Sequence, residues 1–205
     1  MNDSGKAPVD FWFDFSSPYG YLMSERIDDL AARFGRKVRW HPILLGVVLK
    51  AAGGAPLTLQ APARAAYWQL DFTRSARFMG IPYRHPTRFP LATQHAARAY
   101  YWLHDQDCTL ARSFAHAVFR ALFVADVDIS EAGNVLEIGA TLGVDRNRLE
   151  AALQQPAVKA RLKDEVDRAL ETGVFGSPYV LVDGEAFFGA DRLPQIEKWL
   201  DTGGF

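Results

Sequence analysis

Ser17 lies at a junction between two local patterns, in the stretch FDFSSPYGYL (13–22). An apolar, strand-like run ends here, and Ser17 followed by Pro18 is typical of a helix start, with serine as the N-cap and proline in the first helical position. Backbone N–H groups and the helix dipole favour negative charge at such a terminus, so this position can stabilise an anion or a thiolate. The other interpretation is that Ser17 only caps the helix, because serine is common there.

A second junction, VFGSPYVLVDG (174–184), places Gly-Ser-Pro directly before a buried strand. Proline is tolerated as the first residue of a strand, and a cis bond between Ser177 and Pro178 would be a turn feature. If this bond is cis, the backbone N–H and C=O of Ser177 would face outward and could pair with a peptide-like ligand, as an added strand does. The tripeptide alone also fits a simple boundary between a loop and a strand.

The other reactive side chains form no comparable pattern. Cys108 is the single cysteine, which excludes an intramolecular disulfide, so thiol chemistry requires a thiol from outside the chain. Asp191 precedes the last helix, where an acidic residue is most often an N-cap, and Arg192 is typical of a surface charge or a supporting contact. The five histidines lack metal-site spacing and are typical of structural or surface positions: His41, His85, His95, His104 and His116.

The periodicity of apolar residues predicts the elements that carry the first junction. Residues 9–15 alternate as a largely buried strand, and helical spacing then continues from Ser17 to a stop at Gly35. Residues 37–45 form a second strand, in which Pro42 marks the end or an edge position. A right-handed crossover between the two strands would make them parallel.

Helices separated by Gly- and Pro-containing loops follow, and strand signals return after Gly173. Asp183-Gly184 predicts a hairpin between two short apolar runs within 178–189, and an amphipathic helix follows from 190. The predicted helices of the middle region are Arg64–Met79, Ala92–His104, Thr109–Val124, Ser130–Leu142, Asp145–Leu153 and Ala157–Thr172.

Length and composition limit the class of protein. The chain has 205 residues, 49% hydrophobic and 23% charged, enough for one sizeable core or a core domain with a large insertion. With 23 Lys+Arg against 24 Asp+Glu and no basic block, the sequence argues against nucleic acid or membrane partners and favours a small molecule. Because the first apolar run is too short for a signal peptide or a membrane span, we expect a cytoplasmic location.

Together, the junctions resemble a known family. SPY after the first strand, GSP before the third and GADRL at the last helix are similar to DsbA-like proteins, kappa-class glutathione transferases and 2-hydroxychromene-2-carboxylate isomerases, over residues 8–203. The stretches that most resemble the isomerases are FDFSSPYGYL, PARAAYWQLDFTRSARFMGIPY, FP (89–90) and GVFGSPYVLVDGEAFFGADRL.

The resemblance implies an α/β fold, in which a thioredoxin-like domain carries a large all-helical insertion. The thioredoxin-like domain would comprise 1–45 and 173–205 with part of the preceding helix, and the insertion would comprise 46–172. Redox members of the group have Cys-x-x-Cys at the first junction, whereas this chain has Ser17 and Gly20. Dithiol exchange at this position is therefore excluded.

Glutathione is the cofactor that the resemblance implies. The isomerases bind reduced glutathione, and Ser17 would be the catalytic residue, with its hydroxyl hydrogen-bonded to the glutathione sulfur. Such a donor at a helix terminus lowers the pKa of a thiol from about 8.5. Ser177 and Pro178 would pair with the cysteinyl part of glutathione, and Asp191 would contact its γ-glutamyl end. Arg64 stands where the family has a lysine near the glycyl end, which keeps the charge but changes the geometry.

A second departure from the family pattern lies upstream of Arg64. The chain reads Gly53-Gly54-Ala55-Pro56 where an asparagine is expected in a Gly-Asn-x-Pro stretch, so one amide contact to ligands is missing. Aromatic residues of the insertion are mostly core, and some would line a substrate pocket between the two domains. These aromatic residues are Tyr67, Trp68, Phe72, Tyr100, Tyr101 and Trp102.

Three functions follow from the resemblance. The leading hypothesis is a glutathione-dependent cis-trans isomerase of a chromene-like aromatic carboxylate in aromatic-compound breakdown. The second is a kappa-like glutathione transferase or peroxidase, in which the thiolate attacks an electrophile. The third is a thioredoxin-fold protein that binds glutathione or a peptide without catalysis. The resemblance also implies a homodimer.

Overall fold

The computed structural model describes residues 6–56 and 61–205, in which helices surround one four-stranded sheet. The strands are β1 (Val9–Phe13), β2 (Val38–Pro42), β3 (Tyr179–Val182) and β4 (Glu185–Phe188). The helices are α1 (Pro18–Ser24), α2 (Ile27–Arg33), α3 (Leu45–Ala51), α4 (Pro62–Phe78), α5 (Gln94–His104), α6 (Cys108–Phe123), α7 (Ala132–Thr141), α8 (Arg146–Gln154), α9 (Pro156–Glu171) and α10 (Leu193–Thr202). This order confirms the predicted α/β fold, a thioredoxin-like domain with an all-helical insertion. The predicted boundaries at 45/46 and 172/173 stay a prediction.

The sheet has the strand order β2-β1-β3-β4. β1 and β2 are parallel, as a crossover through α1 and α2 predicts, whereas β3 is antiparallel to both β1 and β4. Pro42 is the last residue of β2, which is an edge strand, so its missing N–H costs no ladder hydrogen bond. At the β3–β4 turn, Asp183 (φ 52°) and Gly184 (φ 91°) are both left-handed, as a tight two-residue hairpin requires.

The first predicted helix is in fact two helices, α1 and α2. Helix α3, which follows β2, was not predicted. The chain breaks between α1 and α2 at Glu25 and Arg26, where the Glu25 carboxylate is hydrogen-bonded by Arg120 of α6 at 2.8 Å. This tertiary contact has no signal in the local spacing of apolar residues. The predicted second strand also ran too far, because Leu45 begins α3 rather than ending β2.

The core lies between the sheet and the insertion. Phe11, Phe13 and Phe15 are fully buried, and Phe13 packs against Phe119 of α6 with ring centroids 5.3 Å apart. Helix α6 therefore covers the sheet directly, and the insertion forms part of the same core. Among the residues that the structure describes, none belongs to a helix long and apolar enough to cross a membrane.

Candidate active site

Ser17 is the N-cap of α1, as its position before Pro18 predicts. Its backbone is extended (φ −86°, ψ 114°), and its Oγ accepts a hydrogen bond from the Gly20 N–H at 3.0 Å. The same hydroxyl donates to the carbonyl oxygen of Ser177 at 3.0 Å. The structure thus brings together the two junctions, which are 160 residues apart in the chain.

The Ser177–Pro178 peptide bond is cis, and Ser177 is held from two sides. Its Oγ accepts a hydrogen bond from the backbone N–H of Asp14 at 3.0 Å, while its carbonyl accepts the Ser17 hydroxyl. Gly20 allows this close approach, because a Cβ on Gly20 would lie 3.1 Å from the Ser177 Oγ. Close packing at this point leaves the Ser177 carbonyl facing the Ser17 hydroxyl.

Asp14 is a buried site residue that the sequence interpretation missed. Its carboxylate accepts hydrogen bonds from the Ser16 N–H (2.7 Å) and Oγ (2.8 Å), from the Leu45 N–H (2.7 Å) and from the Thr93 hydroxyl (3.0 Å). Burial raises the pKa of Asp14, and these four hydrogen bonds oppose the increase. The carboxylate therefore joins the Ser17 turn to the starts of α3 and α5. An acidic residue between Phe13 and Phe15 was the available signal.

A cavity of about 910 Å³ opens beside Ser17 and Ser177. Its walls come from α1, α3, α4, the loop around the cis Phe89–Pro90 bond, and the segment 188–194. Tyr67, Trp68 and Phe72 line it, whereas Tyr100 and Tyr101 are buried in the core, where their hydroxyls donate to the carbonyls of β2. The volume is at the upper end of the range for small-molecule sites.

Asp191 and Arg192 line the same cavity from a short 3-10 turn before α10. The two side chains form an ion pair at 2.7 Å, and both are substantially exposed. Gly189 is left-handed (φ 106°), and a Cβ there would lie 2.4 Å from Asp191 Oδ1. Asp191 thus lines the same cavity as Ser17 and Ser177, and its contact with a γ-glutamyl group stays a prediction.

Arg64, Gly53 and Gly54 are not among the described residues that line the main cavity. Arg64 is exposed in the first turn of α4 and contacts a separate depression of about 290 Å³, which shares Tyr67 and Trp68 with the main cavity. Gly54 packs on Leu49, and the following Ala55 and Pro56 line the main cavity. A role for Arg64 in binding stays a prediction.

The α4 wall carries a polar pair that the sequence interpretation also missed. The Tyr19 hydroxyl donates to the carboxylate of Asp71, and both residues line the cavity. Only the fold brings α1 and α4 together, since 52 residues separate this pair in the chain.

Other reactive residues form no additional centre in the part of the chain that the structure describes. No group of three or more His, Cys, Asp or Glu side chains there is arranged to hold a metal ion. Cys108 is exposed at the start of α6 and does not line the cavity.

Comparisons with known proteins agree with this fold. A family model of the DsbA-like thioredoxin domain matches residues 8–201. The 2-hydroxychromene-2-carboxylate isomerase of Sphingobium xenophagum is 28% identical over 193 residues, which cover 94% of this chain and 97% of the relative. The glutathione S-transferase kappa 1 of Caenorhabditis elegans is 28% identical over 94% of this chain and 90% of its own.

A solved structure of 2-hydroxychromene-2-carboxylate isomerase superposes with a TM-score of 0.85 at 28% identity, covering 94% of each chain. The resemblance expected from the three motifs is therefore confirmed. Because the family model spans nearly the whole chain, including both serine junctions, this chain belongs to the DsbA-like thioredoxin-domain family.

Proposed function

We propose that this protein is a glutathione-dependent cis-trans isomerase of a 2-hydroxychromene-2-carboxylate-like aromatic compound. The observation that carries the proposal is the Ser17 hydroxyl, 3.0 Å from the Ser177 carbonyl, at the wall of a large aromatic cavity. Relatives named as isomerases at 28–29% identity over nearly the whole chain support the reaction class. A cytoplasmic location belongs to the same proposal, because reduced glutathione is maintained there.

The residues at the cavity fit glutathione by their chemistry. The Ser177 carbonyl is an acceptor for a peptide N–H, and the exposed Asp191 carboxylate is a partner for an amino group. No cysteine lines the cavity among the described residues, so a nucleophilic thiol must come from a bound molecule. When bound, glutathione supplies a thiolate that adds reversibly to a conjugated double bond and so permits rotation about it.

Ser17 would act by changing its hydrogen-bond partner. In the structure its hydroxyl donates a hydrogen bond to the Ser177 carbonyl, while its oxygen accepts one from the Gly20 N–H. A ligand N–H paired with that carbonyl would leave the Ser17 hydroxyl free to turn and donate to a sulfur. A donor hydroxyl favours the charged form of a thiol and lowers its pKa. Ser17 would therefore hold the nucleophile ionised, and the apolar walls would exclude water from it.

The first test is a calorimetric titration with reduced glutathione, with thiolate absorbance followed in parallel. We expect binding with a lowered thiol pKa in the native protein, and loss of that thiolate in Ser17→Ala together with a roughly 100-fold lower turnover. Ser24→Ala is the matched control, because Ser24 lies in the same helix and donates to the Tyr21 carbonyl at 2.7 Å. A native protein that binds no glutathione at physiological concentration would contradict the proposal and direct attention to Gly54 and Arg64.

A kappa-like glutathione transferase is the second candidate, because two kappa-class relatives are equally similar at 28% identity. The two reactions are distinguished by the glutathione balance, since isomerisation leaves glutathione unconsumed and conjugation depletes it. Retention of full turnover in Ser17→Ala would argue against a catalytic role for Ser17 in either the isomerase or the transferase. A protein that binds glutathione without any turnover would match the third, non-catalytic hypothesis.

A further inference from the structure

The α4 wall of the cavity holds a hydrogen-bonded group centred on Asp71. Its carboxylate accepts hydrogen bonds from the Tyr19 hydroxyl and from Arg74, and the Ser75 hydroxyl lies 3.4 Å away. Tyr19, Asp71 and Ser75 line the cavity, whereas Arg74 does not. We call the first two the Tyr19–Asp71 pair.

The protonation states of this pair are well defined near neutral pH. Burial and the neighbouring Asp71 carboxylate raise the pKa of Tyr19, so its hydroxyl stays protonated. Although burial works in the opposite direction, hydrogen bonds from Tyr19 and Arg74 lower the pKa of Asp71, so its carboxylate stays charged. Since the Tyr19 hydrogen is already donated to Asp71, the pair presents oxygen lone pairs to a ligand.

Two aromatic rings that line the cavity pack against Tyr19. Tyr19 meets Phe72 at 5.0 Å and Trp68 at 6.4 Å between ring centroids, both edge to face. In such surroundings a ligand that supplies a hydrogen-bond donor to the pair is favoured. A ligand that covers the pair with an apolar or acceptor group binds less tightly, because the oxygen atoms of the pair lose water without gaining a donor. Arg192 is the cationic side chain among the described cavity-lining residues, and it is paired with Asp191 at 2.7 Å.

We propose that the Tyr19–Asp71 pair is a specificity subsite that binds a hydroxyl group carried on the aromatic ring of the substrate. The hydroxyl would donate to the Tyr19 oxygen, which is polarised because Tyr19 itself donates to Asp71. The assignment of the cavity to an aromatic substrate rests on the proposed function. Opening the ring of a 2-hydroxychromene-2-carboxylate would produce a phenolic hydroxyl of this kind, together with a keto acid.

The test uses three saturated carboxylates that cannot add a thiol, titrated by calorimetry without glutathione. They are 3-(2-hydroxyphenyl)propanoate, 3-(2-methoxyphenyl)propanoate and 3-phenylpropanoate. We expect the hydroxyl compound to bind about tenfold more tightly than either of the others, as one hydrogen bond to a charge-assisted acceptor provides. The methoxy compound separates donation from size, because it carries an oxygen but no donor.

Variants locate the preference in the pair. Tyr19→Phe should reduce the preference to about threefold, because Asp71 still offers an acceptor, and the double variant Tyr19→Phe/Asp71→Leu should abolish it. Tyr83→Phe is the matched control, since the Tyr83 hydroxyl pairs with His85 Nδ1 at 3.0 Å and does not line the cavity. Equal binding of the three compounds to the native protein, or a preference that survives in the double variant, would overturn the proposal.

The result is separable from the proposed function, because these titrations contain no glutathione and do not depend on Ser17. A hydroxyl preference in a protein that binds no glutathione would support the subsite and refute the isomerase. Glutathione binding without any hydroxyl preference would support the isomerase reading and refute the subsite.

Discussion

At the scale of single residues, the candidate site depends on hydrogen bonds that converge on Asp14. Its carboxylate holds the Ser16 backbone, its own carbonyl accepts the Ser17 N–H at 2.9 Å, and its own N–H binds the Ser177 Oγ at 3.0 Å. Both serines that face each other across the site are therefore positioned by one buried residue. Asp14 would act on the reaction through Ser17 and Ser177, as a positioning residue.

We expect Asp14→Asn to lower the free energy of unfolding by about 2 kcal/mol, because an amide NH₂ would face an N–H or hydroxyl donor without an acceptor. Urea unfolding measures this loss, and a glutathione titration should show weaker binding at the same time. Asp29→Asn, an exposed acid in α2, is the control and should change stability by less than about 0.5 kcal/mol. Equal stability of the two variants would contradict the role assigned to Asp14.

At the scale of elements, an ionic contact holds the α1–α2 break against α6. Glu25 is nearly buried and is bound by Arg120 at 2.8 Å, with His116 Nδ1 at 3.4 Å. Although burial favours its protonated form, hydrogen bonds from His116 and Arg120 lower the pKa of Glu25 to about 2, from an ordinary value of 4.5. This contact joins the site-bearing helix α1 to the insertion.

Because the folded-state pKa is depressed, the stability that Glu25 contributes is fully present above pH 4.5 and is lost as pH falls toward 2. The free energy of unfolding should fall on acidification by about 1 kcal/mol less in Glu25→Gln than in the native protein, a value that allows for solvent screening. Unfolding free energies measured from pH 5 to about pH 2.5 check the slope. Glu197→Gln, which breaks an exposed pair with Arg33, should leave the slope unchanged.

At the scale of the whole molecule, we expect a homodimer in solution. Helix α4 exposes apolar side chains, with Phe78 91% and Leu70 58% accessible, and a second copy is one means of covering them. Sedimentation equilibrium at micromolar concentration should give twice the chain mass of 22.9 kDa. A mass of one chain at that concentration would contradict the expectation.

Much of the fold follows from patterns that are local in the sequence. Alternating apolar residues predicted β1, Asp183-Gly184 predicted the hairpin, and Ser17-Pro18 predicted the start of α1. Each depends on the conformational preferences of a few adjacent residues, which remain the same in the folded chain. The break between α1 and α2 was not predicted, because it depends on a tertiary contact. The short helix α3 was not predicted, because it left no periodic signal.

The sequence by itself determined that the chain has a thioredoxin-like sheet with a helical insertion, a capped helix start at Ser17 and no cysteine at that junction. Only the tertiary structure decided that Ser17 meets Ser177, that Asp14 holds both, and that Tyr19 pairs with Asp71. The contacts of Ser177 with Ser17 and Asp14, and that of Tyr19 with Asp71, join residues 52 to 163 positions apart. Local propensity cannot specify such contacts, because they form only when the sheet and the insertion bury their apolar faces together.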